Sequence, residues 1–257
     1  MTTPSATPFS RARADAAGWT LEVVTEVDST NRIASKLPPW RAVRAEIQTA
    51  GRGRTGRAWI SDRGGLWLSA ALPCPGPRER WATLPLAAGH SLHNALAGLG
   101  VSDLRLRWPN DLLVGRRKLA GLLVERHSPE TAVVGVGLNV FNSPEEASPD
   151  LRSSTARLAD LVALGERDLD NVASLVLRAL TDAHALLAAN RFTSIVDGLN
   201  RAWSASPARQ VALTLNGRPE PLVAQFLGID DDGRLLVSME DRTEALDATR
   251  VALLREL

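Results

Sequence analysis

The 257 residues predict an α+β chain that ends in a small β-barrel. Three observations carry this expectation. Stretches of two-residue alternation recur through the first 140 residues, and two longer segments carry helical periodicity. After "WSASPARQ" the texture changes to short strands separated by Asn-Gly and Asp-Gly turns. The length suits one sizeable domain, or a large one with a small one attached, and 44% hydrophobic and 23% charged residues are ordinary for a soluble globular chain.

The elements follow in order. Residues 1–18 are polar, lack the apolar core of a secretion signal, and read as a flexible leader. "WTLEVVTEV" alternates as a strand; "DSTNRIASKLPPW" is a helix entry with Ser29, Thr30 and Asn31 as candidate caps and a stop at Pro38-Pro39. "RAVRAEIQTA" and "GGLWLSAAL" are strands on either side of a glycine-arginine loop. Thr83 to Leu99 is helical, and His90 and His93 on one of its faces read as structural. In "LRLRWPND", Leu104, Leu106 and Trp108 share one strand face until Pro109 forces a bend, because proline removes a ladder donor and restricts its neighbour. "DLLV", "GRRK" and "LAGLLVERH" form a hairpin, and "AVVGVGLNV" is a buried strand whose Gly135 and Gly137 suit close approach of a backbone or ligand. "NVASLVLRALTDAHALLAAN" is a helix, and "VALTL", "LVAQFLGI", "RLLVSM" and "RVALLREL" are the barrel strands. The boundary is expected near Pro207, giving units of 19–206 and 207–257.

A formal net charge of +1 argues against nucleic acid as the main partner. Basic residues cluster nonetheless: Arg41, Arg44, Arg52, Arg54, Arg57 and Arg63 face only Glu46 and Asp62 nearby, the composition of a local anion site. A single cysteine, Cys74, excludes an internal disulfide and a cysteine-rich zinc site. No apolar run reaches the roughly 18 residues of a membrane helix, so a cytoplasmic protein without a membrane partner is expected. Lys36 and Lys118 are the only lysines in an arginine-rich chain. A lysine kept under that bias marks a place where arginine would not serve, which singles out Lys118; Lys36 shows the limit of the argument.

Three motifs carry chemistry. "GRGRTGRAW" (Gly51–Trp59) is flexible and cationic; it suits a phosphate- or carboxylate-binding loop, an Arg-Gly nucleic-acid segment, or plain solvation. Its Trp59 suits either stacking on a purine or core packing. "RWPND" gathers a cation, an amide and a carboxylate, or else makes a proline turn with an Asx cap. In "RKLAG", Lys118 starts a strand and Gly121 leaves room opposite.

Together and in this order, "DSTN", "QTAGRGRTGRAW", "RWPNDLLV", "RKLAGLLVE" and "VVGVGLN" resemble the successive motifs of the biotin protein ligases, from about Trp19 to the C-terminus. The resemblance implies a class II synthetase-like catalytic domain, a mixed β-sheet packed with helices, and an Src-homology-3-like barrel after it. It implies that biotin and ATP, with Mg2+, give biotinyl-5′-AMP and pyrophosphate, and that the biotinyl group passes to a lysine of a biotin carboxyl carrier protein domain. At matching positions, Ser29, Thr30, Asn31, Gln48, Gly51, Arg52, Gly53, Arg54, Lys118, Gly121 and Gly135 are expected around biotin. Arg54, Arg57, Trp59, Arg107, Asn110, Asp111 and Asn139 are expected at ATP or the adenylate, with Lys118 and Arg52 as catalytic cations and Asp111 as candidate metal ligand. Glycines would let the loop open for substrates and close over a labile mixed anhydride.

Two features depart from the family pattern. Arg107 stands where the family usually has lysine, and a planar guanidinium is not an ammonium. The residues before Trp19 are too few for the DNA-binding domain of bifunctional members, so a ligase that does not bind DNA is expected. Family members often dimerise through a sheet edge, which makes a homodimer a further expectation. The alternatives are a lipoate or octanoate ligase of the same superfamily, and a non-catalytic nucleotide- or RNA-binding module.

Overall fold

Eight strands pair into one sheet. The computed structural model describes residues 9–14, 18–148, 151–165, 168–204, 210–218, 220–239 and 242–257. In chain order the elements are β1 (Phe9–Ala14), β2 (Thr20–Val27), α1 (Thr30–Ala34), β3 (Arg41–Gln48), β4 (Leu66–Pro73), α2 (Leu84–Gly98), β5 (Leu104–Arg107), β6 (Asp111–Val114), β7 (Arg117–Arg126) and β8 (Thr131–Leu138). There follow α3 (Pro144–Ala147), α4 (Asp168–Ala188), α5 (Thr193–Ser204), β9 (Gln210–Leu215), β10 (Leu222–Ile229), β11 (Leu235–Met239), β12 (Arg242–Leu246) and β13 (Val251–Glu256).

The sheet order is β1-β2-β3-β4-β8-β7-β6-β5. It is mixed: β2 and β3 run parallel, which a tight turn cannot achieve, and α1 lies in the connection between them. One face of the sheet carries Leu66, Leu68, Leu72, Val134, Val136 and Leu138 into the main core shared with α2 and α4. The other face is covered only in part. Val24, Val43, Ala45 and Val133 pack with Ala34 of α1. Beyond α1 that face continues as Ser69, Gly135 and Gly137, small residues that leave the sheet open to a ligand.

The second sheet is antiparallel, in the order β12-β11-β10-β9-β13, as an Src-homology-3-like unit requires. It is pinned to the first by Trp108 Nε1, which donates to Gly233 O (3.0 Å), and by a two-pronged Arg105–Glu256 pair (2.9 and 3.1 Å). The expected boundary at Pro207 lies outside the described residues. No described helix is long and apolar enough to cross a membrane.

Four elements differ from the sequence reading, the single-turn α3 (Pro144–Ala147) among them. Residues 9–14, expected within a loose leader, add β1 to the open edge of β2, whose unpaired backbone groups offer a template. Helix α5 was not foreseen: Thr193, Ile195, Val196 and Gly198 are poor helix formers, but burial of Ile195, Val196, Leu199 and Trp203 overrides propensity. Strand β12 has four exposed residues and no apolar alternation, and exists because β11 pairs with it.

One half-buried histidine is expected to make stability pH-dependent. His184 stacks on Trp81 (5.2 Å between centroids), and its Nε2 lies 3.0 Å from Pro73 O. Burial pushes its pKa below the usual histidine range, and the Pro73 carbonyl offsets this only in part. The unfolded chain takes up a proton near pH 6.5 while the folded chain does not. This contribution is therefore complete above about pH 6.5 and is lost as the pH falls through the lower folded value. Urea midpoints at pH 7.5 and 5.5 should fall more steeply in the wild type than in His184→Gln.

Candidate active site

Helix α1 presents the first group of polar side chains. Ser29 holds the N-cap position with extended backbone but makes no side-chain cap bond, contrary to the capping role its sequence position suggests. Thr30 and Asn31 turn into a buried network instead. Thr30 N donates to Gln48 Oε1 (2.8 Å), Thr30 Oγ1 lies 2.7 Å from Ser69 Oγ, and Ser69 donates to Asn31 Oδ1 (2.6 Å). Gln48 Nε2 donates to Ser61 Oγ (2.9 Å), which donates to the Trp59 carbonyl (3.0 Å). The polar floor is thereby tied to the end of the glycine-arginine loop.

Glycines decide what lies on this floor. A Cβ at Gly137 would come within 2.7 Å of the Trp59 indole, and one at Gly121 within 2.9 Å. A Cβ at Gly135 would collide with Asn31 Oδ1. Gly135→Ala is therefore expected to displace Asn31, destabilise the fold by about 1–3 kcal/mol, and weaken ligand binding, as a thermal melt and a binding titration would show.

The loop folds back on itself and on the second sheet. Gly53 N donates to Arg57 O (2.7 Å) around a turn in which Thr55 and Gly56 have φ of 55° and 73°. Arg54 donates to the Ala248 carbonyl and to Val251 O (2.9 Å), and Arg57 to Ala252 O (3.1 Å). Burial lowers the Arg54 pKa, with Asp111 opposing and Arg57 adding to the shift.

Across from the polar floor stands a charged cluster. Strand β6 opens with Asp111, whose two oxygens meet Lys118 Nζ (2.7 Å) and Arg107 Nη2 (2.6 Å). Burial opposes ionisation of Asp111, but Lys118 first and Arg107 next outweigh it and hold its carboxyl below the usual range. Lys118 Nζ also sits 4.7 Å from the Trp59 ring centroid, a cation–π distance. The Trp59 indole N–H is buried without a hydrogen-bond partner.

These groups enclose a cavity of about 170 Å³. Of the predicted residues, Ser29, Thr30, Asn31, Gln48, Arg52, Gly53, Arg54, Arg57, Trp59, Arg107, Asn110, Asp111, Lys118, Gly121 and Gly135 line it. Gly51 and Asn139 do not. Gly51 packs behind the loop against Ser61 and the Trp59 carbonyl. Asn139 is buried behind β7, where its backbone N–H donates to Leu119 O (3.0 Å) and its Oδ1 accepts from Asn142 (3.1 Å). The Asn110 amide is spent on the Leu122 carbonyl.

Sequence reasoning missed Ser69 and Ala252 to Leu254 of β13 among the lining residues, while Gly137, marked in the sequence for close approach of a backbone or ligand, lines the cavity as well. Ser69 had a signal, as the one polar residue inside an apolar strand. Gly137 stands beside Gly135 in the same strand motif. The β13 residues had none, because only the packing of the two sheets brings them here.

A mixed sheet with a glycine-opened face, a polar floor and a cationic rim makes a site suited to a polar, anionic ligand, and comparisons with known proteins place it in an enzyme of the ligase type. The Biotin/lipoate A/B protein ligase family matches residues 23–139. Biotin–[acetyl-CoA-carboxylase] ligase of Mycobacterium tuberculosis is 37% identical over 250 residues, covering 93% of this chain and 91% of that one. The enzyme of the same description from Paracoccus denitrificans is 29% identical, covering 89% and 98%. Among solved structures, biotin protein ligase from Aquifex aeolicus in complex with biotin and ATP superposes with a TM-score of 0.77 at 27% identity, covering 92% of this chain and 99% of that one. The chain belongs to the biotin protein ligases.

Proposed function

We propose that this chain activates biotin with ATP and transfers the biotinyl group to a carboxylase carrier domain. The observation that carries the reading is the single cavity that joins a polar floor at α1 to the Lys118–Asp111–Arg107 cluster. The floor suits the polar ring of biotin, and the cationic end suits its carboxylate and the phosphates of ATP. In the first step a carboxylate oxygen attacks the α-phosphorus and pyrophosphate leaves. In the second, a carrier lysine amine attacks the acyl carbon of biotinyl-5′-AMP, and AMP and a proton leave.

The first step needs no general base, since the biotin carboxylate is ionised at neutral pH. The obstacle is repulsion between that carboxylate and the triphosphate. A cation 4 Å from an anion contributes about 4 kcal/mol at an effective dielectric near 20. Lys118 is the chief cation in this scheme, with Arg52 at the loop; Arg54 and Arg57 serve the nucleotide, and Trp59 offers its face to adenine and its free indole N–H to an acceptor. Asn139 is assigned to support of the strand that carries Lys118.

Magnesium enters this scheme as part of the MgATP substrate. The protein groups do not form a cation cage: both Asp111 oxygens are engaged by cations, and the described residues contain no cluster of three His, Cys, Asp or Glu. Asp111 is accordingly assigned to holding Lys118 and Arg107 in place.

Pyrophosphate release with MgATP and either biotin or lipoate tests the proposal. Release with biotin alone, followed by label transfer to a carrier domain, is expected. Release with lipoate alone would reassign the substrate, and none with either acid in folded protein would favour a binding module.

A further inference from the structure

The glycine-arginine loop is held against the second sheet through backbone acceptors alone. Arg54 donates to the Ala248 carbonyl and to Val251 O (2.9 Å), and Arg57 donates to Ala252 O (3.1 Å). These acceptors belong to β13 and the turn before it. They are on offer because β13 is an edge strand, paired only with β9. Its register with β9 also slips between Val251 and Leu253, which leaves Ala252 as an extra residue with no partner in β9. The loop bonds therefore form only while β13 stands at one place relative to the first sheet.

The ion pair that β13 itself makes with the first sheet is at the strand's other end. Glu256 accepts from both terminal nitrogens of Arg105, at 2.9 and 3.1 Å, and the two side chains are only 16% and 21% exposed. Arg105 also donates to Gly115 O (2.7 Å), so its guanidinium is fixed and the pair is not a loose surface contact. On β5, Arg105 shares a face with Arg107 of the site. Ala252, Leu253 and Leu254, between the two ends of β13, line the cavity, whereas Arg105 and Glu256 do not. Resting on the reading of ATP as substrate, we infer that Glu256 is a positioning residue. Clamped to Arg105, it keeps the β13 carbonyls within reach of Arg54 and Arg57 and so biases the loop toward its closed form before the nucleotide arrives.

Glu256→Ala should release this end of β13 and let the loop open more often. Hydrogen exchange of residues 51–59 in the ligand-free full chain reads this directly, since the Gly53 and Trp59 N–H groups bond to carbonyls within the loop. Exchange there should rise about three- to tenfold, the worth of one hydrogen bond, while β3 and β4 stay as protected as before. In a chain that already carries Arg54→Met and Arg57→Met, Glu256→Ala should add nothing to loop exchange, because no bond remains for β13 to align. In pyrophosphate release, KM for ATP should rise by a similar factor with kcat held within about twofold, since saturating ligand closes the loop in any case. Glu256→Gln keeps one acceptor and should shift both readouts less, in the same direction. An equal rise in the Arg54→Met, Arg57→Met background would overturn the inference. So would exchange that rises throughout the chain, or loop exchange and KM that stay unchanged. Failure of the wild type to release pyrophosphate would instead overturn the reading of ATP as substrate and leave the exchange result standing.

Discussion

Lys118→Ala is expected to lower biotin-dependent pyrophosphate release by about 100- to 1000-fold, the usual cost of removing one positioned charge from a developing anionic centre. Lys118 Nζ is 2.7 Å from Asp111 and 4.7 Å from the Trp59 ring centroid, so its loss also leaves Asp111 with Arg107 alone and strips a cation from the indole face. The fold should survive, because Asp111 keeps its 2.6 Å partner. The arginine variant should not recover the rate. The ammonium concentrates its charge at one point 2.7 Å from Asp111, whereas a planar guanidinium spreads the charge over a longer, forked group and does not reproduce that placement. A Lys118→Ala rate within threefold of the wild type, in the same pyrophosphate assay, would remove Lys118 from its proposed role.

Trp67→Ala is expected to cost about 3–5 kcal/mol of stability, among the largest single losses a core side chain causes. Trp67 is fully buried on β4, and its Nε1 donates to Asp62 O (2.9 Å). Its ring covers Gly65, where no Cβ would fit, and stands edge-on to Trp59 at 6.5 Å. Truncation would open a large cavity, strand the Asp62 carbonyl and remove the wall behind Trp59. A chain of this length should lose roughly 10 °C in Tm. The folded fraction should bind nucleotide more weakly, because Trp59 loses its support. A melting temperature within 2 °C of the wild type would show that the neighbouring side chains collapse into the space.

Much of the first sheet was legible because its signals are local. The alternation of β2, the apolar run of β4 and the Pro109 bend each lie within a few residues, and each element formed where its pattern stood. The site was legible for a related reason: its residues come as compact motifs, and most predicted positions line one cavity. Asn139 and Gly51 show the limit, since a motif says which residues recur together and not which side chain faces a ligand. Asn139 is spent on Asn142 and on the backbone behind Lys118.

By itself, then, the sequence determined the α+β class, most of the strands of the first sheet, the glycine-arginine loop and the residues that carry charge into the site. Those properties depend on side-chain period, backbone freedom and composition, which act over short stretches of chain. Only the tertiary structure decided that α5 and β12 exist, that β13 borders the cavity, and that Arg54 and Arg57 rest on its carbonyls. It alone set Glu125 against Asn31, residues 94 positions apart. Contacts over such separations depend on which faces must be buried together and which donors find acceptors, and no local pattern in the chain encodes either.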